Sequence, residues 1–288
     1  MSAPTGTIVA AHGRHYEVEV DGGGVCLAVP RGKRSIYACG DRVHLDPAAG
    51  GQARLADHLP RSSLLYRSDQ WKQKLIAANA TQAVLVVATE PAFSGELLSR
   101  ALVAAGHEQL RALIVLNKCD LTANLEAARR ALEPFASLGV PVLEMAAKQD
   151  ASPLQPWLRG QLSVLVGQSG MGKSTLINAL VPGALAATRE ISSALDSGKH
   201  TTTHARLYRL DDASAIIDSP GLQEFGLAHL SFGEIEHGFA EFRATLGQCR
   251  FHDCRHAAEP GCAVKARVDA GVISRCRYDH FRAITSRA

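Results

Sequence analysis

The run Gly167-Gln168-Ser169-Gly170-Met171-Gly172-Lys173-Ser174 fits G-x-x-x-x-G-K-[ST], a spacing that can hold the phosphates of a nucleotide. Its glycines let backbone N–H groups turn inward without a clashing Cβ. Lys173 is placed to meet the β- and γ-phosphates, and the Ser174 hydroxyl to ligate Mg²⁺. A helix opening at the loop, with Thr175 in its first turn, points unpaired N–H groups at the anion. A Gly-rich turn can match this pattern by chance, so context decides. Leu162 to Val166 reads as a buried strand before the loop. Leu176, Ile177 and Leu180 mark a helix after it, stopped by Pro182-Gly183.

Asn117-Lys118-Cys119-Asp120 fits N-K-x-D. Asp120 can accept from the N1–H and the amino group of guanine. Adenine lacks that donor pair and leaves the carboxylate unsatisfied. Asn117 is expected to tie the motif to the P-loop, and the Lys118 stem to cover the base. Alone, the motif also reads as a helix cap, with Asp120 before Leu121-Thr122. Ala146-Ala147-Lys148 resembles the S-A-K loop that contacts the base through Ala147 and Lys148, without its serine.

Gly198-Lys199-His200-Thr201-Thr202-Thr203 has the composition of a switch loop whose threonine meets Mg²⁺ and the γ-phosphate. Spacing leaves open whether Thr201, Thr202 or Thr203 does so. Asp218-Ser219-Pro220-Gly221 fits D-x-x-G, with Asp218 in the Mg²⁺ shell and the Gly221 N–H sensing the γ-phosphate. The next residue, Leu222, cannot orient a water, so unaided hydrolysis is expected to be slow. His229 is the best internal candidate for a group that accepts from the attacking water. It reads equally as a surface histidine before Leu230.

Cys249, Cys254, His256 and Cys262 form C-x4-C-x-H-x5-C, a Cys₃His set of the kind that closes a tetrahedral structural zinc site. His252 lies within the same run and is an alternative to His256. All four positions are filled by protein, which argues against catalytic zinc.

The elements that must position these groups follow from patterning. Thr7–Ala10, Tyr16–Val20, Val25–Val29 and Arg42–Leu45 are short strands separated by turns, as in a small OB-fold barrel. Arg31, Lys33, Arg34 and Arg42 on it form either a phosphate-binding surface or a solvated basic loop. Pro60 to Lys74 is polar and basic and reads as a linker or surface segment between domains. Buried strands at Gln82–Ala88, Ala112–Leu116 and Val140–Met145 alternate with helices at Leu97–Ala105 and Leu125–Leu132, the latter closed by Pro134. This alternation predicts a parallel α/β sheet with ligands at the carboxyl ends of its strands. His204–Leu210 and Ala215–Asp218 add two strands. Phe239, Phe242 and Leu246 suggest a further helix, and Arg275, Arg277 and Arg282 a basic C-terminal region.

The 288 residues allow two or three domains, with a net charge of +3 that permits nucleic-acid binding. No apolar run approaches a membrane span, and the N-terminus has no signal-peptide pattern, so a cytoplasmic protein with reduced thiols is expected. Seven cysteines then suggest metal ligands or buried thiols.

In an ordinary GTPase the P-loop comes first, then D-x-x-G, then N-K-x-D. Here Asn117–Asp120 comes first and Asp218–Gly221 last, a circular permutation. With this order, the barrel, Phe225-Gly226-Leu227 after D-x-x-G, and the Cys₃His run, the chain closely resembles the ribosome small-subunit-dependent GTPase A (RsgA) family of bacteria. The resemblance implies an OB-fold barrel at 1–65, a permuted GTPase domain at 66–230 and a zinc-binding helical domain at 231–288. It implies a monomeric, Mg²⁺-dependent enzyme that hydrolyses GTP to GDP and assists late maturation of the small (30S) ribosomal subunit. Contacts to 16S rRNA run through the barrel and the zinc domain. Its catalytic set is Lys173, Gly221 and His229. Two other readings compete. One is a P-loop ATPase or kinase, which Asp120 opposes. The other is a zinc-stabilised RNA-binding protein with a regulatory nucleotide site.

Overall fold

The computed structural model describes residues 4–32, 36–47, 52–68, 73–184, 205–219 and 227–286. Thr201, Thr202, Thr203, Gly221 and Leu222 lie outside them, as do Lys33, Arg34 and Lys72.

Five strands close the N-terminal barrel: β1 (Thr5–His12), β2 (His15–Val20), β3 (Val25–Pro30), β4 (Arg42–Pro47) and β5 (Ala53–His58). They pair in the order β1-β2-β3-β5-β4, and β4 returns to β1. Ile8, Tyr16, Val18, Val43, Leu45 and Leu55 fill the interior. Sequence patterning shows four of these strands. β5 escapes it because Leu55 is the strand's one fully buried side chain.

The described residues of the 60–74 segment are not a linker. β6 (Leu64–Ser68) and β7 (Gln73–Ala78) form an antiparallel hairpin. Arg61 is tied rather than solvated: its Nε and Nη2 each reach the Asp41 carboxylate at 2.6 Å. Asp41 is fully buried and also accepts from the Ala38 N–H at 2.7 Å. Gly40 beside it has φ +91°, and a Cβ there would lie 2.3 Å from the Ala78 carbonyl. Barrel and hairpin therefore meet at a position only glycine fits.

The central sheet contains β8 (Gln82–Ala88), β9 (Arg111–Asn117), β10 (Val142–Glu144), β11 (Leu162–Val166), β12 (Arg206–Arg209) and β13 (Ala215–Asp218). Its order is β10-β9-β8-β11-β13-β12, parallel throughout except for β12. Alternate residues feed opposite faces. Leu85, Val87, Ile114 and Leu116 pack with α1 (Gly95–His107), α2 (Leu125–Ala136) and the C-terminal segment. Val84, Val86, Leu113 and Val115 pack toward α3 (Gln155–Leu158) and α4 (Lys173–Leu180). Burial on both faces is why these strands read as unbroken apolar runs. α2 continues past Leu132 and through Pro134, which sits in its last turn.

The C-terminal segment holds α5 (Phe232–Gly238), a 3₁₀ turn at Ala240–Thr245, α6 (Ala263–Asp269) and α7 (Arg275–Thr285). The expected helix around Phe239 and Phe242 is thus largely 3₁₀. Arg277 is not part of a basic surface. It is 2% exposed, 2.7 Å from Glu241, and donates to the Ser99 hydroxyl of α1 at 2.6 Å.

The Arg61–Asp41 pair yields a test. Arg61→Met leaves a buried carboxylate without its partner and is expected to cost about 3 kcal/mol of stability. Chemical denaturation monitored by circular dichroism measures it.

Candidate nucleotide site and metal centre

The P-loop joins β11 to α4 as the sequence requires. A Cβ on Gly167 would lie 2.2 Å from the Val86 carbonyl, and one on Gly172, at φ +91°, 2.3 Å from Asn117 Nδ2. Both glycines allow close backbone approach. Lys173 Nζ donates to the carbonyls of Gly167 at 2.5 Å and Gln168 at 3.0 Å. Burial pushes the Lys173 ammonium down in pKa and the Asp218 carboxyl up, and the attraction between the two opposes both shifts. Two desolvated opposite charges thus lie close enough to attract one another at the carboxyl ends of the strands. Ser174 and Thr175 are exposed in the first turn of α4, and Ser169 and Gly170 are exposed on the loop. Met171 is buried beneath it.

Asn117, at the end of β9, is 2% exposed and uses both ends of its carboxamide. Nδ2 donates to the Met171 carbonyl at 3.0 Å. Oδ1 accepts from the Lys118 N–H at 2.8 Å and the Ala147 N–H at 2.9 Å. N-K-x-D, the P-loop and the Ala146–Lys148 loop are therefore held by one side chain. The missing serine at position 146 does not free that loop, because Ala147 is held through its backbone. Lys118, at φ +62°, sends its ammonium to the Glu90 carbonyl at 2.7 Å. Asp120 and Lys148 are exposed at the same end of the sheet.

Sequence patterning does not show the segment after β8. The Thr89 hydroxyl donates to the Lys118 carbonyl at 2.8 Å, and the Ser94 N–H donates to Gln168 Oε1 at 2.7 Å. The local signal is Ser94, which caps α1 through its side chain.

The structure does not bring His229 to the P-loop. Its ring packs on Tyr66 at 5.0 Å and on His107 at 6.2 Å between centroids. His107 ends α1, whose start holds Gln168. The intervening 13 residues make about 20 Å of helix. Burial, then neighbouring His107, push His229 down in pKa, so it is neutral at physiological pH. Its Nδ1 is buried without a partner among the described residues.

The ligand atoms of Cys249, Cys254, His256 and Cys262 lie within 4.8 Å of one another. His256 Nδ1 is 3.6, 3.5 and 3.2 Å from the three sulfurs in chain order, and Cys249 Sγ is 4.0 Å from Cys262 Sγ. A tetrahedral zinc ion with ordinary bond lengths separates its S and N ligands by about 3.5–3.8 Å. His256 rather than His252 completes the set, and His252 is exposed. His256 Nε2 meets the Glu236 carboxylate, the outer partner that fixes a ligating imidazole. Backbone N–H groups of His256, Ala263 and Lys265 reach the sulfurs of Cys254, Cys249 and Cys262 at 3.4 Å each. Burial, with the neighbouring thiols, pushes Cys254 up to about 12, so a thiolate there requires a cation. The residues fit zinc.

The model of the RsgA GTPase family matches residues 58–228. The chain belongs to the RsgA GTPase family. The small ribosomal subunit biogenesis GTPase RsgA of Nitrosomonas europaea is 54% identical over 276 residues, covering 95% of this chain and 88% of the relative. The protein of that name from Burkholderia pseudomallei is 52% identical over 278 residues, with 95% and 88% covered. The crystal structure of YjeQ from Thermotoga maritima superposes on this RsgA-family chain with a TM-score of 0.74 at 31% identity, covering 99% and 98% of the two chains. YloQ, a circularly permuted GTPase, does so at 0.69 and 25%, covering 99% and 96%.

The metal centre is expected to be separable from the nucleotide site. Cys254→Ser should abolish bound zinc in elemental analysis and loosen the C-terminal segment to proteolysis. Nucleotide binding should be retained, since no cluster residue touches the P-loop among the described residues.

Proposed function

We propose that this GTPase acts on the small ribosomal subunit during its late maturation. The 66–230 domain binds GTP and hydrolyses it to GDP and phosphate. The barrel at 1–65 and the segment at 231–288, built on one structural Zn²⁺, contact 16S rRNA. The observation that carries the reading is the Asn117 junction, which assembles a guanine-type pocket in a permuted chain whose relatives are named for small-subunit biogenesis. In this reading the chain works as a cytoplasmic monomer. Among the described residues no helix is long and apolar enough to cross a membrane.

Gly167 to Thr175 cradle the phosphates, with Lys173 on the β/γ oxygens. Asp120 reads the base, flanked by Lys118, Ala147 and Lys148. Ser174, Asp218 and Thr201 or Thr202 hold Mg²⁺, which neutralises phosphate charge when bound. The Gly221 N–H meets the γ-phosphate. His229 supplies the acceptor for the attacking water once the segment bearing it leaves Tyr66 and His107. Its neutral imidazole and unpartnered Nδ1 suit an acceptor. The distance to the P-loop is expected to keep turnover by the free protein slow. On the barrel, Arg31 pairs with Asp46 and Arg42 with Asp21, so an rRNA contact there competes with ion pairs.

Asp120→Asn should weaken GTP and favour xanthosine nucleotides, because xanthine presents a carbonyl where guanine presents an amino group. Competition binding checks this, and unchanged GTP affinity would remove Asp120 from the base site.

Purified small subunits should raise the hydrolysis rate strongly at low salt and progressively less as salt rises. His229→Ala should lose most of the gain and keep GTP binding. Absence of stimulation at low salt refutes the ribosomal reading, and equal stimulated rates in the two proteins refute the role of His229.

A further inference from the structure

The zinc-bearing run carries a large apolar side chain that the core does not use. Phe251 is 41% exposed, although its neighbours Cys249 and Cys254 are fixed in the metal cluster. Its backbone is held firmly. The Arg250 N–H donates to the Gly261 carbonyl at 3.0 Å, and the Cys254 N–H donates to the Phe251 carbonyl at 3.3 Å, closing a turn. Gly261 has φ +73°, and a Cβ there would lie 2.9 Å from the Arg250 Cβ, so the two branches of the run lie against one another.

One cation stands over the ring and two more lie on the adjoining surface, the Arg255 guanidinium 4.5 Å from the Phe232 centroid. The Arg250 guanidinium stands 5.6 Å from its centroid. Arg255 follows the turn, and Arg282 of α7 donates to the Arg255 carbonyl at 3.2 Å. Arg250, His252 and Arg255 are exposed. The carboxylates in the run are Asp253, which is exposed, and Glu259. Glu259 is committed to the loop itself: it accepts from the Arg255 N–H at 2.9 Å and the Ala257 N–H at 2.7 Å.

We propose that Phe251, backed by Arg250, is a stacking platform for an unpaired base of single-stranded RNA, with Arg255 and Arg282 on the flanking phosphates. A protein partner is the weaker fit. A protein interface is built around a contiguous apolar patch, whereas Phe251 is the one large apolar side chain exposed among the described residues of this run. A base has a π-face for the ring and a phosphate for each cation, the combination by which single strands are held. The proposal rests on the rRNA reading above and assigns it a contact residue.

The test compares the full chain with Phe251→Ala, Phe251→Trp and Arg255→Gln. Each is first checked for one equivalent of zinc and for unchanged unstimulated GTP hydrolysis. Binding is measured to small subunits and to a single-stranded oligouridylate across several salt concentrations. Phe251→Ala is expected to weaken both about tenfold without changing the salt slope, as loss of one stacked base does. Phe251→Trp should restore affinity. Arg255→Gln should lower the slope by a little under one, the share of a single phosphate contact on a single strand. Wild-type affinity of Phe251→Ala for both probes overturns the proposal while leaving the ribosomal reading intact. A loss confined to intact subunits also overturns it and puts Phe251 against a ribosomal protein. Failure of the wild-type chain to bind subunits at all is the separate failure of the ribosomal reading.

Discussion

One buried carboxamide holds the nucleotide site together. Asn117 makes three hydrogen bonds to three loops that the chain visits at different times: N-K-x-D, the base-side loop at Ala147 and the P-loop at Met171. Each partner is a backbone group at the end of a buried sheet. Removing the side chain leaves a carbonyl and two N–H groups without partners, and buried unpaired groups are costly. Gly172 is the other half of the same constraint, since any Cβ there would collide with the Asn117 amide. The interaction is spatial and indifferent to chain order. That is why a permuted chain, with the P-loop after N-K-x-D, closes the same pocket.

Permutation changes what the sheet's edge is attached to. β12 pairs on one side with β13, which ends in Asp218, and on the other with β1 of the barrel. Arg206 on β12 reaches the Glu17 carboxylate of β2 at 3.1 Å, and His12 bonds the same carboxylate. The hydrogen bond from His12 holds Glu17 below the usual carboxylate range, burial opposes this, and Arg206 reinforces it. A buried carboxylate held by one guanidinium and one imidazole adds little net stability but fixes which residue faces which. The barrel is thereby registered to the strand that follows the Thr201–Thr203 run and lies beside the D-x-x-G strand.

What was legible in the sequence follows from where the physics is local. β8, β9 and β11 are buried on both faces, so their composition announces them. The P-loop and N-K-x-D are contiguous motifs at strand ends, and the four metal ligands lie in one short run. The errors are places where a distant partner decides. Arg61 looks like linker charge until Asp41 of the barrel is beside it. Arg277 looks like a basic tail until Glu241 and Ser99 enclose it. β6 and β7 are short strands of a two-stranded hairpin, with weak alternation and a bulge at Leu65/Tyr66. Pro134 reads as a stop, yet a proline in the last helical turn interrupts little of what remains. The placement of His229 has no local signal, because it is set by a ring on β6 and another at the end of α1.

α1 gathers these distant partners. Its capped N-terminus holds Gln168 of the P-loop, and its last residue, His107, lies against His229. Between them Ser99 binds Arg277 and His280 of α7. Two glycines bring the C-terminal segment down onto it. A Cβ on Gly238 would lie 2.7 Å from Val103, and one on Gly95 2.7 Å from His280. Contacts this close transmit displacement, because packed interiors do not deform smoothly. Behind them Phe242 and Phe281, 4.9 Å apart, lie about 6 Å from the His256 ring, so the metal ligand is part of the same apolar block. A force on the zinc-bearing run therefore reaches α1 through side chains already in contact. α1 touches both the P-loop and the seat that holds the histidine. The helix that spaces His229 from the P-loop is also the one the zinc segment grips.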